Sequence, residues 1–213
     1  MGNLVLVRHA TTAASTAGRN LGQGSDPPLA ADGVDRAERL AETLAAELGE
    51  MPHDELRLVT SPALRCRQTI APIAARLGVD EAGVAVADGL LELDYGAWEG
   101  LTAAECRERD PELRAAWEAD PFGTRCPGGE SGSDVARRSM DVLAEIEDWL
   151  AAERTRAAVV VAHNHVNRLR LCALFGWPMR TYRDRLSQDP AGYSVIGFGD
   201  RQPVVRRVNA APA

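Results

Sequence analysis

The sequence predicts an α/β chain folded as a three-layer α/β/α sandwich, with a mostly parallel central sheet and an antiparallel edge. Two observations carry this. The runs Leu4-Val5-Leu6-Val7 and Ala158-Val159-Val160-Val161-Ala162 have the unbroken apolar character of short strands buried on both faces. Between such runs stand longer segments with apolar residues at intervals of three and four, the mark of amphipathic helices. Strands alternating with helices build a parallel sheet covered on both sides. At 213 residues the chain suits one well-buried α/β domain and is short for two. Without repeat, low-complexity tract or linker, a single domain over 1–213 is expected, with 94–130 as a cap-like insertion over the site.

Residues 3–7 open the sheet. Residues 10–32, rich in Thr, Ala, Gly and Pro without periodicity, read as a long loop over the site. From Gly33 to Leu48, Val34, Ala37, Leu40, Ala41, Leu44, Ala45 and Leu48 fall on one helical stripe. Residues 56–60 form the second strand. Ser61 as N-cap and Pro62 at the first helical position start a helix to about Leu77, stopped by Gly78, with Pro72 as a point of kinking. A short strand near 84–86 leads to a loop containing Glu92. Residues 102–130 read as short helices and turns broken at Asp110-Pro111 and Asp120-Pro121. Ser133-Asp134 begins a helix to about Arg154, followed by a strand at 157–162 and a helix at about 165–175. Gly192–Gly199 and Pro203–Val208 read as final antiparallel strands, with a frayed tail at Asn209–Ala213.

Composition excludes several classes. Hydrophobic content of 45% with 26% charged residues is ordinary globular composition. There is no apolar run able to cross a bilayer and no basic leader followed by a long apolar stretch. A soluble cytoplasmic protein without membrane contact is therefore expected. All 24 basic residues are arginine, so Schiff-base chemistry, the P-loop and the kinase ATP site are set aside for want of a lysine. The net charge of −7 argues against nucleic acid as partner. Cys66, Cys106, Cys126 and Cys172 make no metal-finger spacing and read as reduced thiols. His163-Asn164-His165 finds no carboxylate or cysteine at partner spacing, so no metal and no cofactor are expected. His165 is read as a pocket-edge or capping residue, and His53 as solvated.

Polar chemistry falls where apolar runs stop. Arg8-His9 follows the first strand and His163 follows the strand at 157–162. In open α/β sheets ligands sit beyond the carboxyl ends of strands, so both histidines are expected at one site. A neutral imidazole can attack phosphorus and split one displacement into two easier ones. Arginine cannot lose its charge and offers forked donors to phosphate oxygens. Arg65 lies near a helix start whose free N–H groups favour an anion; the residues alone equally allow a solvated arginine on the helix face, as Arg67 is read to be. Composition alone does not choose among Glu92, Asp94 and Glu99 as the acid.

Five ordered motifs resemble the histidine phosphatase superfamily, in its phosphoglycerate-mutase-like branch, over nearly the whole chain. They are Leu6-Val7-Arg8-His9, Ser61 to Thr69, Leu91 to Gly100, Pro127-Gly128-Gly129-Glu130-Ser131 and Val160-Val161-Ala162-His163. The resemblance implies His9 as nucleophile, Arg8 and Arg65 as phosphate clamps and His163 as a protonated imidazole on the phosphate. It picks Glu92 as general acid and base, with Tyr95, Trp98 and Glu99 orienting its loop. Asn164 stands where another branch carries an Asp as acid. Ser15, Gln23, Asn164 and Arg125 are the further substrate-binding candidates.

The chain departs from the family pattern at Ala10, where glycine is usual, at Thr11 and at Ser15, where asparagine is usual. Gln23 to Leu29 fits the family's Gln-Gly-x-x-Asp-x-Pro-Leu with a one-residue misfit. The resemblance implies a metal-independent phosphomonoesterase acting on a small phosphorylated metabolite, of sugar, nucleoside or glycerate phosphate type. The alternatives are a phosphoglycerate-type mutase, disfavoured by the compact insert, and a non-catalytic phospho-ligand-binding protein, disfavoured by the retained corners. A homodimer is compatible with the sequence. Substrate choice is expected from 11–29 and 94–130, where Arg107, Arg109 and Arg114 read mostly as solvated helix faces.

Overall fold

β1 (Gly2–Arg8) and β4 (Ala157–Ala162) lie side by side and parallel at the centre of the molecule, with Arg8 opposite Ala162. This computed structural model describes residues 1–199 and 202–213. β2 (Leu56–Thr60) and β3 (Val84–Val86) continue the parallel sheet beyond β4. β5 (Tyr193–Phe198) and β6 (Val204–Ala210) complete it antiparallel on the other side, in the order β3-β2-β4-β1-β5-β6. The expected three-layer sandwich with an antiparallel edge is present.

Strand alternation divides the core into two layers. Leu4, Leu6, Ala158, Val160 and Ala162 face one apolar cluster; Val5, Val7, Ala157, Val159 and Val161 face the other. Against the first pack α6 (Gly132–Ala152) and α7 (Asn164–Leu174), and against the second α2 (Ala31–Leu48) and α3 (Leu64–Arg76). Each fully buried Val or Leu contributes roughly 1.5–3 kcal/mol, so the central strands are fixed from both sides. Rigid central strands hold rigid carboxyl ends, and the polar residues follow directly upon them.

Two local expectations are corrected. α3 begins at Leu64, and Ser61 does not cap it. The Asp26 carboxylate, reaching in from the loop at 10–32, accepts the Leu64 N–H at 2.8 and 3.0 Å. Pro72 lies inside the continuous helix. The expected frayed tail is instead paired: β6 runs to Ala210 opposite Tyr193, and Ala213 N–H donates to Thr43 at 3.0 Å. The loop at 10–32 carries a single helical turn, α1 (Ala13–Thr16). The segment 94–130 folds as α4 (Ala103–Arg109) and α5 (Pro111–Ala119), with Trp98 and Trp117 buried and edge to face at 6.0 Å.

Gly33 in α2 shows how closely the site loop is seated. A Cβ there would stand 2.2 Å from the Thr11 carbonyl oxygen, which already accepts the Ala30 N–H. Glycine to alanine within a helix ordinarily stabilises by about 1 kcal/mol. Here Gly33→Ala is expected to destabilise, by about 1–3 kcal/mol from overpacking. Thermal unfolding reads the sign, and a raised melting temperature would contradict the packing of this loop on α2.

Candidate active site

His9 sits one residue past β1, its N–H bonded to the Ala162 carbonyl at 3.0 Å. Its Nδ1 lies 2.8 Å from the Ala10 carbonyl oxygen. A carbonyl only accepts, so Nδ1 carries the ring proton and Nε2 keeps its lone pair. Burial first, then the Arg8 and Arg65 charges, push the His9 pKa well down, which holds the ring neutral. The alanine in place of the family's glycine does no harm to this contact, since Ala10 does not need a positive φ. Its N–H donates to Thr69 Oγ1 at 3.0 Å, and that hydroxyl donates to the Arg65 carbonyl at 2.7 Å. The loop after β1 is thereby tied to the first turn of α3.

Arg65 leaves that turn with its side chain 1% exposed. Its Nη2 donates to the Gly22 carbonyl at 3.0 Å and lies 3.3 Å from His163 Nδ1. A guanidinium only donates, so His163 Nδ1 accepts and Nε2–H faces Ser61 Oγ at 2.8 Å. Burial, then Arg65, presses the His163 pKa well down. The imidazole expected to be protonated is therefore neutral before any anion arrives. The rings of His9 and His163 meet edge to face, 5.3 Å between centroids. Arg8 donates through Nη1 to the Gln188 carbonyl. The Nε atoms of Arg8 and Arg65 are buried with no protein partner, as suits guanidiniums shaped for an anion.

Glu92 is 4% exposed. Burial raises its pKa against the opposing pull of the Leu93 N–H, Arg65, the His165 N–H and Arg8. Leu93 N donates to Oε1 at 2.9 Å, and His165 N lies 3.3 Å from each carboxyl oxygen. The loop itself hangs on Arg138 of α6. That guanidinium reaches the carbonyls of Gly89, Leu91 and Glu92 at 2.9, 2.6 and 2.9 Å, and grips Glu130 at 2.9 and 2.8 Å. Glu130 in turn accepts from Asp94 N at 3.0 Å and Gln23 Nε2 at 3.2 Å. Asp94 caps its own turn through Gly96 N, and Glu99 holds Gly22 N, so both rivals of Glu92 are spent on backbone.

Arg8, His9, Arg65, Glu92 and His163 thus lie around one point. The other candidates are placed differently. Gln23 ties the loop at 10–32 to the Glu92 carbonyl at 2.8 Å. Ser15 is engaged locally, accepting from Thr12 N at 3.0 Å and donating to the Thr12 carbonyl at 2.8 Å. Arg125 is exposed and bound to Asp134 at 2.7 Å. Asn164 opens α7 with its Oδ1 buried and unpartnered. His165 is buried between the Tyr95 and Tyr182 hydroxyls, at 2.8 and 2.6 Å. Arg114, expected to be solvated, is 3% exposed and stacks over Trp117 at 4.6 Å. Sequence reasoning missed Arg138, Ser61 as the partner of His163, and Gln188. An open groove of about 610 Å³ between α3 and β3 is lined largely by apolar side chains and includes none of Arg8, His9, Arg65, Glu92 and His163.

Paired imidazoles and guanidiniums at the carboxyl edge of a doubly covered sheet mark a class of phosphate-handling α/β proteins. Within that class, the profile of the histidine phosphatase superfamily (branch 1) matches residues 4–211, and the chain belongs to this family. Phosphoserine phosphatase 1 of Hydrogenobacter thermophilus is 31% identical over 211 residues, 98% of this chain and 92% of that protein. A bifunctional protein of Mycobacterium tuberculosis is 42% identical over 135 residues, 63% of this chain but only 34% of that longer protein. A mycobacterial glucosyl-3-phosphoglycerate phosphatase, solved in complex with VO3, superposes with a TM-score of 0.82 at 28% identity, covering 98% of this chain and 99% of that one.

Proposed function

We propose that the protein is a phosphomonoesterase that hydrolyses a small-metabolite phosphate ester through a phosphohistidine on His9, with Glu92 as general acid and base and no metal cofactor. One observation carries the reading. The Nδ1–H to Ala10 bond leaves Nε2 of a neutral imidazole unprotonated, beside two guanidiniums with unpartnered buried donors. Arg8, Arg65 and His163 hold the phosphoryl oxygens and offset charge that builds on them. Nε2 forms the P–N bond as the ester P–O bond breaks, and Glu92 gives its proton to the departing alkoxide. The carboxylate then takes a proton from the water that attacks phosphorus. The P–N bond breaks, inorganic phosphate leaves, and Glu92 is protonated again. A phosphate dianion between Arg65 and His163 opposes the field that keeps His163 neutral, and so favours its protonation on binding.

The names of the relatives, phosphoserine and glucosyl-3-phosphoglycerate phosphatases, support small phosphorylated metabolites as the substrate class. Phosphate release from sugar, nucleoside, glycerate and amino-acid phosphates in excess EDTA tests the reading. The expected result is turnover undiminished by the chelator. Activity that disappears with EDTA and returns with a divalent metal overturns the metal-independent mechanism. Phosphoryl exchange between positions of one substrate, without release, assigns a mutase instead.

A further inference from the structure

Positive charge on and near α7, whose first turn touches Glu92, goes unused by the chemistry proposed at phosphorus. Asn164 and Arg168 stand one turn apart on α7 and so share a face. Arg168 Nη1 donates to the Arg183 carbonyl at 3.3 Å, and the Arg183 guanidinium lies 4.3 Å over the Trp117 ring. Among the described residues neither arginine meets a carboxylate at ion-pair distance. The Nε atoms of both are buried without a partner, as is Asn164 Oδ1. All three residues keep part of their surface open. The cluster adjoins the proposed catalytic groups, since Asn164 directly follows His163 and the next N–H, that of His165, lies 3.3 Å from each Glu92 carboxyl oxygen. Burial first, then the like charges of Arg183 and Arg8, disfavour the charged form of Arg168. Two crowded, half-buried guanidiniums without a carboxylate gain most from an incoming anion, because desolvated charge-assisted bonds are the strong ones.

We propose that Arg168 and Arg183 form a subsite for a second anionic group on the leaving alcohol, a carboxylate or a further phosphate, with Asn164 Oδ1 accepting from a neighbouring hydroxyl or ammonium. The proposal rests on the phosphatase reading and deepens it. Contact with the Trp117 ring at 4.3 Å restrains the Arg183 guanidinium, which limits the ordering that an incoming oxyanion must impose.

The test compares kcat/KM within matched pairs. Phosphoserine against phosphoethanolamine, and phosphoglycerate against glycerol phosphate, isolate the carboxylate. A sugar bisphosphate against its monophosphate isolates the second phosphate. The wild type is expected to favour the anion-bearing member of one arm by roughly ten-fold or more, the scale of a charge-assisted bond. Arg183→Gln and Arg168→Gln are each expected to bring that ratio towards one, and Arg168→Lys to restore part of it. No preference in either arm overturns the subsite. So does an equal loss on both members with the ratio kept, which assigns Arg168 to bracing the 183 loop alone. Should no ester be hydrolysed, the phosphatase reading fails separately. The subsite is then read by calorimetry with aminophosphonobutyrate against aminopropylphosphonate, where equal affinity in the wild type overturns it.

Discussion

Replacing His9 by alanine is expected to lower kcat/KM by at least ~10⁴-fold on every substrate, the scale seen when a covalent nucleophile is removed. The magnitude follows from how little else in the site can substitute. Ser61 Oγ is committed to His163, and Cys66 is buried with its thiol pKa pushed upward by desolvation, so neither offers an anionic nucleophile. Wild-type protein quenched during turnover of a radiolabelled ester should carry label with the acid-labile, base-stable behaviour of a phosphoramidate, and His9→Ala none. Because burial and the two arginines push the His9 pKa well below that of free imidazole, the His9 ring stays uncharged through neutral pH. Its acid limb in kcat/KM should therefore fall well below the ordinary value of about 6.5. A variant that retains its melting temperature and loses less than about ten-fold would remove His9 from the chemistry.

The sheet was legible because its two central strands are apolar on both faces, a pattern that survives any detail of packing. Bounds at 157–162 were read to the residue for the same reason, and those at 56–60 with them; β3, exposed over Ala85 and Val86, was placed only near 84–86. His9 and His163 could be assigned to one site from topology alone, because parallel neighbours end at the same edge. The misread elements depended on partners distant in sequence. Ser61 carries a helix-capping signature, yet its hydroxyl is taken by a histidine 102 positions away, and Asp26 supplies the cap.

The tail looked frayed because Asn209 has no local reason to order. In the folded chain its amide binds Ser187 at 3.1 Å and Asp189 at 2.9 Å. Between those two residues sits Gln188, whose carbonyl holds Arg8. The last strand thus braces Arg8, a link with no periodicity to betray it. Arg138 was invisible likewise: on a helix of mixed charge, nothing in composition separates an arginine that carries the Glu92 loop from its solvated neighbour Arg137. Among the described residues no helix is long and apolar enough to cross a membrane.

Glu92→Gln is expected to separate activity from stability. On alkyl phosphates, whose leaving group needs a proton, kcat/KM should fall by roughly 10²–10⁴-fold, the usual worth of a general acid. On p-nitrophenyl phosphate, whose leaving group departs as a stable anion, the loss should be much smaller. The wild-type rate on alkyl esters should decline as pH rises through the raised Glu92 pKa, and Glu92→Gln should lack that limb. The substitution should move stability the other way from activity. Burial raises the pKa of Glu92 in the folded state above the unfolded value of about 4.3. Between the two values the folded protein keeps a proton that the unfolded chain has released, so stability falls as pH rises through that window. Glutamine carries no such charge and can still accept from Leu93 N–H. The variant should therefore melt higher than the wild type above the window, with the difference shrinking below about pH 4. Equal losses on alkyl and aryl esters, or a lower melting temperature at neutral pH, would take the proton away from Glu92.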